Sequence, residues 1–346
     1  MSFSTINVHD RQGRAIGDSE SPFVFVHRAE GLGRFWAAPA AMVVVIVTSC
    51  LQLAVGQAAE NMAQSTLDCA QVPSKLVSAP LNNYCVELPA GYSSSTTRYP
   101  VLYFLHGLFE DDQSWADNGG QGILDGLLAK HEVGPFIVVL PNAGKTFYVN
   151  SFDGKIPYEN YFIDELVPYI DHKYRTIADR NDRGIFGISM GGYGALHLAM
   201  RHPDLFGSVS AQSAALLPKF PNPLPTTGRW GFYARVVEEA FGDPLNESYF
   251  DANNPLTLAE HPENFAGLKM YFDCGREDRY GFNVGNSLLD QILTAKHVPH
   301  QFALREGGHG WSYEDMYMQD ALRFEWHDFA HASMSMAMAA ERGRAK

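Results

Sequence analysis

From about residue 60 onward, short aliphatic runs alternate with longer stretches whose apolar residues recur every three or four positions. Runs bounded by Gly, Pro or polar clusters read as buried strands. They are Tyr84 to Leu88, Val101 to Leu105, Phe136 to Leu140 (closed by Pro141), Gly184 to Ile188, Leu205 to Ser210, Leu268 to Cys274 and Gln301 to Leu304. Helical spacing covers Ile123 to His131, Asn283 to Lys296 and Tyr313 to Ala330. In Tyr158 to Tyr174 it puts Phe162, Leu166, Tyr169 and Ile170 on one face, suited to lie on a sheet. Strands interleaved with helices predict an α/β fold, a mostly parallel twisted sheet flanked by helices, over residues 60–332.

Three regions depart from this rhythm. Residues 214–265, after the predicted strand Leu205 to Ser210, are rich in Pro and aromatics, including Phe220, Trp230, Phe232, Tyr233, Phe241, Tyr249 and Phe250. Such an insertion over a strand end is expected to form a lid or pocket wall, unless its aromatics merely pack it on the sheet. Residues 333–346 read as a frayed helix tail without function. Phe35 to Ala59 carries no charge, and Ala41 to Val47 is almost wholly aliphatic. Small residues at Gly56 and Ala58 suit a cleaved secretory signal, whereas retention would make the stretch a membrane anchor. Val47-Thr48-Ser49-Cys50 also resembles a lipoprotein box, and a buried soluble helix is a third reading. The first two predict an exported protein, secreted or periplasmic, with residues 1–34 as a disordered leader and membrane attachment through 35–59 as the alternative to cleavage.

Charge narrows the partners. With 26 Lys+Arg against 39 Asp+Glu, the formal net charge of −13 disfavours nucleic acid, whose phosphates bind by exchanging counterions for cationic side chains. An apolar content of 46% with 19% charged residues is that of an ordinary globular protein. Of the 4 cysteines, Cys50 lies in the apolar segment, while Cys69 and Cys85 flank the first predicted strand pair. In an oxidising compartment those two are expected to bridge, the alternative being ordinary buried thiols like Cys274. No clustered Cys/His spacing suggests a metal, and neither metal nor organic cofactor is expected.

Gly187-Ile188-Ser189-Met190-Gly191 is a G-x-S-x-G pattern, weak by itself. It follows a predicted strand and opens a predicted helix, the setting of a nucleophile elbow. A serine on so sharp a turn leaves no room for Cβ atoms two residues to either side, which suits Gly187 and Gly191. A hydroxyl near its ordinary pKa is a poor nucleophile and needs a base. Among 13 histidines, His309 stands in a Gly-rich loop directly after the last predicted strand, unlike His297, His300 and His327. The imidazole needs an acid to fix its tautomer. Asp278, in the loop beyond Gly275, is favoured over Asp273 and Glu277, giving the chain order Ser, Asp, His. Oxyanion donors are expected at Met190 N–H and at Leu108 N–H, where His106-Gly107 bends the loop toward Ser189. His106, Gly107, Trp115 and Trp311 are the candidate substrate-binding residues.

Together these segments resemble the esterase branch of the α/β-hydrolases, which includes esterase D or S-formylglutathione hydrolase, feruloyl and acetyl-xylan esterases and the mycolyltransferases. The likeness runs from about Leu76 to Ala330 and rests on five collinear segments. These are Val101–Trp115, Tyr158–Arg175, the elbow GISMGGYGA, the acid loop CGREDRYGF and the histidine loop GGHGW. It implies an α/β-hydrolase fold, Ser189 as nucleophile, Asp278 as acid, His309 as base, and Leu108 with Met190 as oxyanion hole. The expected activity is hydrolysis of carboxylic esters, of small acyl, feruloyl or acetyl type, on a small-molecule or polysaccharide-linked substrate. Acyl transfer to a sugar hydroxyl and a thioesterase of the formylglutathione kind use the same residues and stand as alternatives. The apolar amino-terminal segment is unlike the cytosolic formylglutathione hydrolases.

Overall fold

A computed structural model describes residues 65–221 and 223–344; the leader, the apolar segment and Cys50 lie outside them. Eight strands form one sheet in the order β1-β2-β4-β3-β5-β6-β7-β8. They are β1 (Thr66–Gln71), β2 (Asn83–Leu88), β3 (Val101–Leu105), β4 (Ile137–Pro141), β5 (Arg183–Ile188), β6 (Ser208–Gln212), β7 (Lys269–Gly275) and β8 (Gln301–Arg305). β2 runs antiparallel to both β1 and β4, and every other pairing is parallel.

The central strands are buried along their whole length because helices cover both faces, which is why they read as unbroken apolar runs. Alternation still sorts their side chains: Val101, Tyr103 and Leu105 of β3 enter one core, Leu102 and Phe104 the other. The helices that matter for the site are α1 (Gly120–Ala129), α2 (Val167–Lys173), α3 (Met190–Arg201), α4 (Gly228–Phe241), α5 (Phe282–Ala295) and α6 (Trp311–Arg344). α2 is preceded by a π-helical turn, Tyr161–Leu166, so the expected single helix at 158–174 is composite. α6 continues past Ala330 through the expected tail. Among the described residues, no helix is long and apolar enough to cross a membrane.

Two strands were poorly legible. β1 mixes polar residues with Leu67, Cys69 and Ala70 and is largely exposed at the sheet edge, so it carries no apolar run to detect. It is tied to β2 where Cys69 faces Cys85 in register, and the two are joined by a disulfide. β6 begins at Ser208 rather than Leu205, and its Ser208, Ser210 and Gln212 are buried. Buried polar positions need partners. Here the Ser208 and Ser210 hydroxyls hydrogen-bond the Glu325 carboxyl from α6.

The 214–265 insertion folds into α4 and shorter helices, Glu247–Asn253 and Pro255–Leu258. Its Phe241 and Phe250 are core residues in edge contact, ring centroids 5.2 Å apart. The Tyr193 hydroxyl of α3 donates to the Asn253 carbonyl (2.7 Å), fastening the insertion to the helix behind the elbow. Tyr249 donates to the Asn150 carbonyl, while the side chains of Trp230 and Phe232 lie outside the description.

Candidate active site

The turn between β5 and α3 carries Ser189 at φ 58° and ψ −115°, a conformation rarely adopted by non-glycine residues. Close packing enforces it. A Cβ on Gly187 would lie 2.1 Å from the Gly191 carbonyl oxygen, and one on Gly191 would lie 1.9 Å from that of Leu105. Ser189 N–H donates to the Gln212 carbonyl, and its own carbonyl accepts from Ala215 N–H, both at 2.9 Å, so the strained turn is pinned against the end of β6.

His309 lies in the loop between β8 and α6, where Gly307 and Gly310 take φ of 114° and 118°. Its Nε2 is 3.0 Å from Ser189 Oγ and its Nδ1 is 2.8 Å from Asp278 Oδ2. A carboxylate only accepts, so Nδ1 carries the proton and Nε2 is left to accept from the serine hydroxyl. Asp278 is itself fixed: Tyr280 N–H donates to its Oδ1 at 2.8 Å, and the Cys274 thiol approaches Oδ2 at 3.6 Å. Tyr280 and Phe282 flank the imidazole edge-on, with ring centroids 4.8 and 5.5 Å away.

The other acids considered in the sequence face elsewhere. Asp273 is fully buried and accepts from the hydroxyls of Tyr271 (2.8 Å) and Tyr313 (2.7 Å), and burial pushes its pKa up to about 6. Glu277 accepts from Gly307 N–H, bracing the histidine loop rather than the ring. His297, on the turn after α5, and His300, paired with Asp290, are also remote in bonding from Ser189.

A cavity of about 280 Å³ opens over Ser189 and His309. Met190 and Leu108 both line it. Met190 is the first residue of α3, so its N–H has no carbonyl one turn earlier to bond. Gly107 also lines the cavity, and a Cβ there would lie 3.7 Å from Ser189 Cβ, which measures how near this loop comes. Trp311 contributes to the wall, its indole N–H donating to Glu110 Oε1 at 2.6 Å.

Two of the four candidate substrate-binding residues are corrected by the structure. His106 is buried beneath the loop: its Nδ1 donates to the Gly107 carbonyl (2.7 Å) and its Nε2 accepts from Ala143 N–H (2.9 Å). Burial lowers its pKa to about 4, so it is a neutral tie between the loops after β3 and β4. Trp115 is fully enclosed, its indole N–H on Glu87 and its ring 4.8 Å from that of Phe104. It packs the sheet face opposite the elbow helix.

Several wall residues escaped the sequence reading. Phe220 and Tyr233, named with the aromatic-rich insertion, do line the cavity, but Val236 and Val237 beside Tyr233 on α4 were not singled out, although they follow it at i+3 and i+4. Tyr280, Phe282, Glu110 and Glu314 join them only because separate loops and helix starts converge, which no local spacing records.

Residues 82–324 match the family described as "Putative esterase". The chain belongs to this esterase family. Among similar proteins, an endo-1,4-beta-xylanase/feruloyl esterase of Xylanibacter ruminicola is 40% identical over 131 residues, 35% of this chain and 18% of that protein. An esterase of Mycobacterium tuberculosis is 37% identical over 245 residues, 65% of this chain and 51% of the relative. The chain spans about half or less of the length of these curated relatives. A solved ferulic acid esterase superposes with a TM-score of 0.64 at 29% identity, covering 77% of this chain and 99% of the other. The sheet order and this likeness give the chain the α/β-hydrolase fold.

Proposed function

We propose that this chain is an exported serine carboxylesterase acting through an acyl-enzyme, with Ser189 as nucleophile, His309 as general base and acid, and Asp278 as the group that orients the imidazole. The observation that carries this reading is the unbroken hydrogen-bond chain from Asp278 through His309 to Ser189 at the floor of a mainly apolar cavity. Membership of the esterase family and relatives named as feruloyl esterase and acetyl esterase support an ester as substrate.

His309 Nε2 takes the Ser189 proton as Oγ attacks the acyl carbon, and the tetrahedral oxyanion is held by the N–H groups of Met190 and Leu108. The imidazolium, stabilised by Asp278, then protonates the alkoxide, which leaves as the alcohol. Water follows the reverse path: His309 removes its proton, hydroxide attacks the acyl carbon, and Ser189 is restored with release of the acid. The apolar wall from α4 suits a small or aromatic acyl group. Export is supported by the uncharged stretch Phe35–Ala59 and by the Cys69–Cys85 disulfide, a bond of oxidising compartments.

The test is labelling of the purified chain with a fluorophosphonate probe, beside hydrolysis of nitrophenyl and hydroxycinnamate esters. Label at Ser189 with ester turnover is the expected result. An unlabelled Ser189 and no acid released from any ester would end the proposal, and acyl groups appearing on an added sugar instead of water would convert it to acyl transfer.

A further inference from the structure

Glu314 sits in the first turn of α6 and lines the same cavity as Ser189 and His309, yet it is only 1% exposed. Its Oε1 accepts from Gly310 N–H at 3.3 Å, steadying the residue next to His309. Its Oε2 is buried and has no hydrogen-bond partner among the described residues. The neighbouring carboxylate is different: Glu110 uses one oxygen on Gly107 N–H (2.8 Å) and the other on Trp311 Nε1–H (2.6 Å). Burial raises the Glu314 pKa, with the nearby His309 opposing and the Glu110 charge adding to the rise.

A buried carboxyl oxygen without a partner is costly, and native proteins rarely keep one idle. The group that best satisfies it is a neutral hydroxyl, which donates to the oxygen if the carboxyl is ionised and accepts from it if the carboxyl is protonated. An anionic ligand group would meet Glu110 as well as Glu314. The side of the ester follows from His309, which must stand beside the departing alkoxide; Glu314 holds the loop that carries this ring. By contrast, α4 offers Val236 and Val237, which suit the acyl part.

We propose that Glu314 Oε2 is a specificity subsite that hydrogen-bonds a free hydroxyl on the alcohol portion of the ester, close to the scissile oxygen. This rests on the serine esterase reading. An ester bearing that hydroxyl satisfies the oxygen, whereas an ester lacking it leaves the oxygen buried and unpaired, so discrimination between otherwise matched alcohols arises at this one atom.

The experiment compares kcat/KM of the full chain for 2-hydroxyethyl butyrate and propyl butyrate, which differ by a hydroxyl in place of a methyl. The expected wild-type preference for the hydroxylated ester is on the order of tenfold or more. Glu314→Leu brings the ratio down to about one or below, whereas Glu314→Gln, which keeps an oxygen in place, preserves most of it. Because the ratio is taken within each variant, damage to the His309 loop cancels. Should Glu314→Leu not fold, Glu314→Ser, which withdraws the polar group from the cavity, serves in its place. A wild-type ratio near one, or a preference that survives in these variants, overturns the subsite. So does a Glu314-dependent preference for a hydroxyl on the acyl side, read with propyl 3-hydroxybutyrate. If wild type turns over none of these esters while remaining folded, the esterase reading fails first and the subsite falls with it.

Discussion

The imidazole of His309 meets the hydroxyl of Ser189 at 3.0 Å across 120 positions of sequence. Their strands are not neighbours. β6 and β7 lie between β5 and β8, so with strands about 4.8 Å apart the two strand ends stand roughly 14 Å from each other. The histidine loop must therefore fold back over the end of β7. Gly275 makes this passage possible: a Cβ there would lie 2.3 Å from the carbonyl oxygens of both Gly307 and Gly308.

Replacing Gly275 by alanine is accordingly expected to lift the histidine loop while leaving the sheet paired. A displacement of about 1 Å between reacting groups costs on the order of 100-fold in rate. Gly275→Ala should lose that much in kcat with far-ultraviolet circular dichroism unchanged. Wild-type kcat in a folded variant would show that the crossing has more slack than the packing allows.

Ser189→Ala removes the attacking oxygen and leaves the backbone turn to be held by the same Gln212 and Ala215 bonds. Turnover is expected to fall by at least about 1000-fold, with the melting temperature within a few degrees of wild type. Steady-state hydrolysis of a nitrophenyl ester, paired with a thermal melt, checks both. Residual activity within tenfold would remove Ser189 from the mechanism.

Asp278 and Asp273 are five residues apart on one strand-loop unit but bond different partners, Asp278 the His309 ring and Asp273 the Tyr271 and Tyr313 hydroxyls. Asp278→Asn places a donor where His309 Nδ1–H needs an acceptor and should cost on the order of 10⁴ in kcat with little loss of stability. Asp273→Asn disturbs two buried tyrosine hydroxyl bonds and should lower the melting temperature while the folded fraction keeps most of its rate. The reverse ranking would assign the acid wrongly.

What the sequence revealed follows from how local each signal is. The elbow was readable because Gly187, Ser189 and Gly191 lie within one turn, although only Gly187 is demanded by that turn itself, Gly191 being required by the Leu105 carbonyl of β3. Asp278 was readable because it follows a buried apolar strand that ends in Gly275, and His309 because it stands among Gly307, Gly308 and Gly310 just after the last strand. Edge strand β1 was not, since its largely exposed mix of polar and apolar residues has no periodic mark. β6 was misplaced by three residues because its inward Ser208 and Ser210 are satisfied by Glu325 from α6, more than a hundred positions away. The same reason hid the wall: Glu110, Tyr280 and Glu314 become neighbours only after two loops and the start of α6 converge. His106 and Trp115 have a related cause, as both flank the loop after β3 in sequence but turn inward, toward Ala143 and Glu87.

Glu325 sets a pH dependence of stability that is separate from catalysis. It is fully buried, and desolvation raises its pKa from 4.5 to about 8, with Asp328 adding to the rise and the hydroxyls of Ser208 and Ser210 opposing it. Between these two values the folded protein holds a proton that the unfolded chain has released. Stability therefore falls as pH rises through this window: the contribution of the protonated carboxyl is fully present below about pH 4.5 and lost as pH climbs through about 8. Each pKa unit corresponds to about 1.4 kcal/mol, so the effect amounts to a few kcal/mol. Glu325→Gln keeps a neutral hydrogen-bonding group beside the two serines and has no proton to lose. Denaturant unfolding at a series of pH values should show the wild-type free energy declining relative to this variant from pH 5 to pH 8. Parallel curves for the two proteins would mean that Glu325 ionises in the folded state as readily as in water, and that the serine pair rather than burial governs its charge.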